Sequence, residues 1–388
     1  MVPSNVLLRL VREFSDLGAE KFTFTGGESL LHPNLSDILS HALRQHGVKE
    51  VCLQTNATLL TNAKVNDLVS IADSNLTIQV SLEGATAENH DYVRGTGSFE
   101  LTIQGLRRLV KAGLGRQTYV AFTEMQHNFG DIPQVIELVE RLGIDRFVAG
   151  TLVMRGRAAQ NSQLALPDPE QYRDLLDRHH SDKRFAELCD KYANIAAIEW
   201  FKGQSAHTED CVCTCIKNPM VTADGTLYPC LMFQHDEYAI SDVHSRPLQD
   251  VISDAMPLWA ELPKLSRLRS AFLEACKGCP GQKHCAGGCM GRAQAYGNLM
   301  TVEDRCQLRK AVYAWKVRSD LGLDTFIDTV TDIKLFFQTY AMSGGNKPLS
   351  LGSDCQIRII SAGDLAISRE LLFKRVIFFL TSITVHII

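Results

Sequence analysis

Cysteine spacing constrains this chain more than any other feature of it. Cys215 is followed by nine residues, Gly225, four residues and Cys230; Cys276, Cys279, Cys285 and Cys289 then fall as CxxCxxxxxCxxxC, and Cys306 comes after sixteen more. Thiols this crowded point to metal. The N-terminus, MVPSNVLLRLVREF, sets Leu7, Leu8, Leu10, Val11 and Phe14 at helical spacing with Arg9, Arg12 and Glu13 between them, an amphipathic helix and not an export signal. The expected location is the cytoplasm, where disulfides are rare and grouped cysteines serve metals or redox chemistry. Structural zinc uses two CxxC-like pairs, whereas four-cysteine ligation from uneven spacings suits iron-sulfur clusters. The thiols suffice for two clusters.

A chain of 388 residues has ample apolar material for a core and does not need metal merely to fold. Its formal net charge of -4 gives no global positive field to recruit nucleic acid or an anionic membrane, so neither is an expected partner. Residues 376–388 carry no Asp, Glu, Lys or Arg, yet a membrane-spanning helix needs about twenty residues. That end reads as a buried strand or an irregular terminus, and residues 343–353 (SGGNKPLSLGS) as a linker before it.

The first 155 residues alternate between short β-branched or aromatic runs at 21–25, 51–55, 76–81, 118–122 and 146–153 and helical patterns at 35–46, 63–72, 99–112 and 132–142. Such alternation predicts parallel strands joined by crossover helices. No glycine-rich dinucleotide fingerprint follows the first strand, which favours a barrel-like α/β sheet with its active groups at the strands' carboxyl ends. Those ends carry Thr25, Gly26, Gly27 and Glu28; Gln54, Thr55 and Asn56; Ser81 and Glu83; and Arg155. Glycines there expose backbone to a ligand, and Glu28 beside them can bind an ammonium group. Gly-Gly-Glu alone is also what a plain turn before a helix looks like, and Asn56 and Ser81 can be ordinary caps. Their shared rim is what raises the functional reading.

With that strand end and this cysteine array, the chain resembles the radical S-adenosylmethionine enzymes that carry a C-terminal SPASM domain, over roughly residues 1–310. Residues 24–33 (FTGGESLLHP) look like the family's methionine-amine-binding segment, and residues 80–97 (VSLEGATAENHDYVRGTG) like its fourth-strand region. The resemblance implies a partial (β/α)6 TIM-like barrel lacking its first strand over residues 1–160, a helical connector at 161–209, a small cysteine-rich SPASM domain at 210–310 and an extension of unassigned role at 311–388. It further implies S-adenosylmethionine held by Gly26, Gly27, Glu28, Thr55, Asn56, Ser81 and Arg94, and two auxiliary [4Fe-4S] clusters. By position, Cys276, Cys279, Cys285 and Cys306 would bind one cluster, and Cys215, Cys230 and Cys289 the other with an upstream thiol, for which Cys211 is preferred over Cys213.

Members of that family carry CxxxCxxC after their first strand; here the only cysteines before Cys211 are Cys52 and Cys189. The expectation is a shortened version, less plausibly a degenerate one, in which a third cluster belongs only to a full-length form. The parent mechanism would be reductive cleavage of S-adenosylmethionine to a 5'-deoxyadenosyl radical, fed by an external electron donor. Its substrate would be a peptide or protein, or, in the alternative, a tetrapyrrole side chain; sulfatase maturation is disfavoured, since Leu231 stands where those enzymes have an aspartate. A non-catalytic iron-sulfur carrier or scaffold and a zinc module are the rivals. Cys52 and Cys189 read as buried small hydrophobes, and His284 as a solvated histidine.

Overall fold

A computed structural model describes residues 1–202, 215–285, 287–320 and 383–387, without the side chains of Cys215, Lys283, His284, Asp320, Ile383 and Thr384. The strands are β1 (Ala19–Phe24), β2 (Glu50–Thr55), β3 (Leu76–Ser81), β4 (Thr118–Glu124), β5 (Arg146–Thr151), β6 (Ala193–Ile195), β7 (Met220–Val221), β8 (Leu227–Tyr228) and β9 (Ile383–Ile387). They form one sheet in the order β6-β5-β4-β3-β2-β1-β9-β7-β8, parallel throughout except for the β7–β8 hairpin. Helices α1 (Ser4–Asp16), α2 (Leu35–Leu43), α3 (Asn62–Ile71), α4 (Ala87–Arg94), α5 (Ser98–Lys111) and α6 (Ile132–Leu142) lie between or before the first five strands.

Period-two alternation explains how this sheet carries both a core and a site. Phe22, Phe24, Val51, Leu53, Ile78, Val80, Val120, Phe122, Phe147 and Ala149 share one face by register, and all are buried. The helices cover that face with stripes such as Leu7, Leu10, Val11 and Phe14 of α1 and Ile132, Val135, Ile136 and Val139 of α6. The other face is polar: Gln54 Nε2 donates to Gln79 Oε1 at 3.0 Å, the Tyr119 hydroxyl donates to the same oxygen at 2.7 Å, and Arg146 lies 4.2 Å over the Tyr119 ring. This is the parallel α/β sheet that the alternating pattern predicts, open as the partial barrel implied by the resemblance would be.

The boundaries differ in instructive ways. Strand β3 and helix α6 match their expected limits, while α2 stops at Leu43 because the chain turns through Gly47, whose φ is +82°. Helix α4 and the short β6 carry too little periodicity to be legible in sequence. The uncharged C-terminal run does form a strand at Ile383–Ile387, with Val385 and Ile387 buried. Its partners are β1 on one side and β7 on the other, the Thr25 N–H donating to the Ile387 carbonyl at 2.8 Å and the His386 N–H to Pro219 at 3.1 Å. Residues 343–353 lie outside the described residues.

The cysteine-bearing half is clasped to the first by α1. Arg9 donates to the Val243 and Arg246 carbonyls at 2.6 and 3.0 Å, and Glu13 accepts from the Leu248 N–H at 2.9 Å. Among the described residues no helix is long and apolar enough to cross a membrane.

Candidate functional site

Because β1 to β6 run parallel, their carboxyl ends share one edge, and the residues singled out there meet. Glu28 reaches across from the loop after β1: its Oε1 accepts from the Thr55 hydroxyl at 2.6 Å and the Leu30 N–H at 3.0 Å, and its Oε2 from the Asn56 N–H at 2.9 Å. A carboxylate accepts about four hydrogen bonds, so this clasp leaves room for one further donor such as an ammonium. Gly26, Gly27 and Glu28 line a cavity of about 300 Å³ with Phe24, His32 and Ile387, and a Cβ on Gly27 would meet nothing within 4 Å. The backbone there faces open space.

A second cavity of about 300 Å³ is bounded by Asn56, Thr58, His90, Arg94, Ser98 and Thr102. Asn56 behaves partly as a turn former, its Oδ1 accepting from Thr58 N–H and hydroxyl at 2.9 and 2.7 Å. Arg94 pairs with the buried Glu83, whose other oxygen accepts from the Thr123 N–H at 2.6 Å. His90 accepts from the Glu83 N–H through Nδ1 at 3.0 Å; burial, helped by the Arg94 cation, pushes its pKa down to about 4, so the ring is neutral at pH 7. Ser81 closes β3 on the polar face beside Ala121 of β4. Of the residues expected to hold the cofactor, Gly26, Gly27, Glu28, Thr55 and Asn56 thus form one connected edge, Arg94 joins it through the Asn56 cavity, and Ser81 lies along the same rim.

The thiols separate into two groups. Cys276, Cys279, Cys285 and Cys306 line one cavity together with Glu303, Arg309, Lys310 and Tyr313. Burial pushes the Cys285 thiol up to about 11 and raises Cys276 and Cys306 as well, so these sulfurs hold their protons until something displaces them. Cys230 and Cys289 instead lie within the electrostatic reach of Arg155, whose Nη1 donates to the Met232 carbonyl at 3.0 Å. Cys211 and Cys213 lie outside the described residues, as does the Cys215 side chain. Among the described residues no three His, Cys, Asp or Glu side chains converge closely enough to hold a single metal ion. Four thiols around one cavity are the donor set that four-cysteine iron-sulfur ligation uses.

Close packing fixes these loops. A Cβ on Gly291 would stand 2.0 Å from the Met232 carbonyl oxygen. Arg292 is buried against Asp304 at 2.5 and 2.8 Å and donates to the Thr151 and Leu152 carbonyls at 3.2 and 2.5 Å, which docks the cysteine loops on the carboxyl end of β5. Glu303 is 1% exposed. Burial alone would raise its pKa, but Arg305, Arg309 and the Cys289 N–H outweigh that and hold it down to about 2. Sequence reading passed over Arg292, Glu303, Arg305 and Arg309; the usable signal was a charged run, EDRCQLR, at a position where a cysteine region should be dry. Cys52 and Cys189 are buried as expected, Cys52 with a 3.4 Å contact to the Tyr119 hydroxyl.

Residues 2–139 match the family model described as the radical SAM superfamily. Those residues are of the radical S-adenosylmethionine type. The chain is 26% identical over 322 residues to the Fe-coproporphyrin III synthase of Methanosarcina barkeri, covering 78% of this chain and 79% of that protein. It is also 26% identical over 307 residues to the PqqA peptide cyclase of Rhizobium meliloti, covering 76% of each. Among solved structures it is similar to one described as native anSMEcpe with bound AdoMet, with a TM-score of 0.63 and 18% identity over 83% of this chain and 90% of that one. A match to this family implies iron-sulfur chemistry and S-adenosylmethionine.

Proposed function

We propose that this chain is an iron-sulfur protein whose parent activity is 5'-deoxyadenosyl-radical modification of a peptide or protein. One observation carries the reading: Cys276, Cys279, Cys285 and Cys306 line a common cavity while Cys230 and Cys289 lie at Arg155, in a chain whose Gly26, Gly27 and Glu28 line a cavity at the strands' carboxyl ends. In this reading the first four thiols hold one [4Fe-4S] cluster, and Cys230 and Cys289 hold a second with Cys215 and Cys211. The backbone of Gly26 and Gly27 with the remaining acceptor site of Glu28 receives the cofactor's amine, Ser81 and Arg94 its carboxylate or ribose, and Thr55 and Asn56 its adenosine side. When bound, S-adenosylmethionine supplies a radical that removes a hydrogen atom from substrate; this chain's residues orient it and exclude water.

A peptide substrate is supported by the similarity to a peptide cyclase over three quarters of both chains. A tetrapyrrole side chain is the second reading, supported by the similarity to Fe-coproporphyrin III synthase. An external donor in a reducing, cytoplasmic setting would provide the electrons. No CxxxCxxC stands before Cys211 in this sequence, so the proposal includes little or no cleavage of S-adenosylmethionine by the 388 residues themselves.

Anaerobic reconstitution tests this directly. The expected product is brown, with about eight iron and eight sulfide per chain as two four-iron clusters, and it forms 5'-deoxyadenosine only when extended at its N-terminus with CxxxCxxC. Pale protein holding zinc alone would refute the cluster assignment, reducible clusters without S-adenosylmethionine binding would favour a carrier or scaffold, and cleavage by the unextended chain would refute the impairment.

A further inference from the structure

The two groups of thiols are separate in space, yet one residue, through its carbonyl and its carboxylate, touches the framework of both. The Glu303 carbonyl accepts from the N–H of Cys306, a member of the four-thiol cavity, at 3.1 Å. Its carboxylate Oε2 accepts from the N–H of Cys289, a member of the other group, at 2.9 Å. Arg309, which lines the four-thiol cavity, donates through Nε to Oε1 at 2.7 Å, and Arg305 donates through Nη2 to Oε2 at 2.9 Å. Gly288 makes the arrangement possible, since a Cβ there would come within 2.6 Å of the Glu303 Cδ.

Folding does not demand this placement. Burying a carboxylate between two guanidiniums carries a large desolvation cost, and apolar residues of similar volume often serve stability as well. A charge in such a dry place acts over a long range, because little solvent screens it. We propose that Glu303 is a positioning residue that couples the two sulfur sites, fixing the Cys289 and Cys306 loops to each other and placing one negative charge where both sites feel it. The inference rests on the two-cluster reading above.

The consequence is electrochemical. Cluster potentials respond to net charge and to hydrogen bonding around the sulfurs. Removing a negative charge favours the reduced, more negative form, so E303Q raises both midpoints. R309Q removes a positive charge from one cavity and leaves the carboxylate less neutralised, so it lowers both, the four-thiol site by more. The experiment is a mediator-controlled redox titration of the reconstituted full chain followed by electron paramagnetic resonance, with C285S and C289S assigning each signal to its site.

Shifts of both signals in the stated directions support the coupling. A shift confined to one site, or none in a variant that keeps wild-type iron and circular dichroism, overturns it. Should E303Q fail to fold, E303D decides, because it keeps the charge but withdraws the carboxylate from the Cys289 N–H: the Cys289 site's midpoint should move, and an unmoved midpoint at wild-type iron overturns the coupling. Wild-type protein that does not load two clusters removes the proposal together with the reading beneath it, and is told apart by its iron count before any variant is made.

Discussion

Replacing Glu28 with alanine removes one acceptor from three donors at once: the Thr55 hydroxyl, the Leu30 N–H and the Asn56 N–H. Hydrogen bonds to a charged group are worth about 1.5–3 kcal/mol each when buried, but Glu28 is half-buried and water can replace part of what is lost. About 1 kcal/mol per bond is therefore appropriate, and E28A is expected to destabilise the cofactor-free chain by about 3 kcal/mol. T55V removes one bond and costs about 1 kcal/mol, and a double-mutant cycle between the two should return a coupling of about 1 kcal/mol. Urea unfolding without S-adenosylmethionine reads the stability, and hydrogen exchange at the Leu30 and Asn56 amides reads the clasp locally. Binding of S-adenosylmethionine, measured separately, should weaken in E28A and much less in T55V. If E28A unfolds within 0.5 kcal/mol of wild type while losing the cofactor, Glu28 is a ligand only and the clasp is wrong.

Other expectations follow from the same geometry. His90 titrates near 4 when folded against 6.5 when free, so the unfolded chain takes up the proton first as pH falls, and stability is lost between about pH 6.5 and 4. At pH 5 the loss is about 2 kcal/mol, and H90N should flatten that slope in thermal unfolding compared at pH 7 and pH 5; an unchanged slope would place the titration elsewhere. G291A forces a methyl against the Met232 carbonyl, so it should cost about 1–3 kcal/mol and lower iron content, while G27A, facing open space, should keep both iron and stability and lose only affinity for S-adenosylmethionine. C285S should reconstitute with about half the wild-type iron and C189S with all of it; equal iron in C285S and wild type would break the assignment of the four-thiol cavity.

Sequence by itself specifies whatever is written locally. Strands at 76–81 and helices at 132–142 announce themselves because period-two and period-3.6 burial repeat within a dozen residues, and a parallel α/β sheet follows from their alternation. The cysteine intervals are local in the same sense, and they single out Cys276, Cys279, Cys285 and Cys306, which share one cavity. Helix α4 escaped because AENHDYVR buries one residue, His90, and so has no apolar stripe to detect. The limits appear wherever the deciding contact spans the chain. That residues 383–387 would slip between β1 and β7, that Glu28 would spend its lone pairs on Thr55 and Asn56, and that Glu303 would bridge two sulfur groups depend on which surfaces meet after collapse. Backbone hydrogen bonding and charge burial carry no signature at one end that names the partner at the other. Sequence therefore determined the parts and the kind of chemistry, while the tertiary structure alone decided which polar groups face one another in the dry interior, since only there does a pairing outweigh its competition with water.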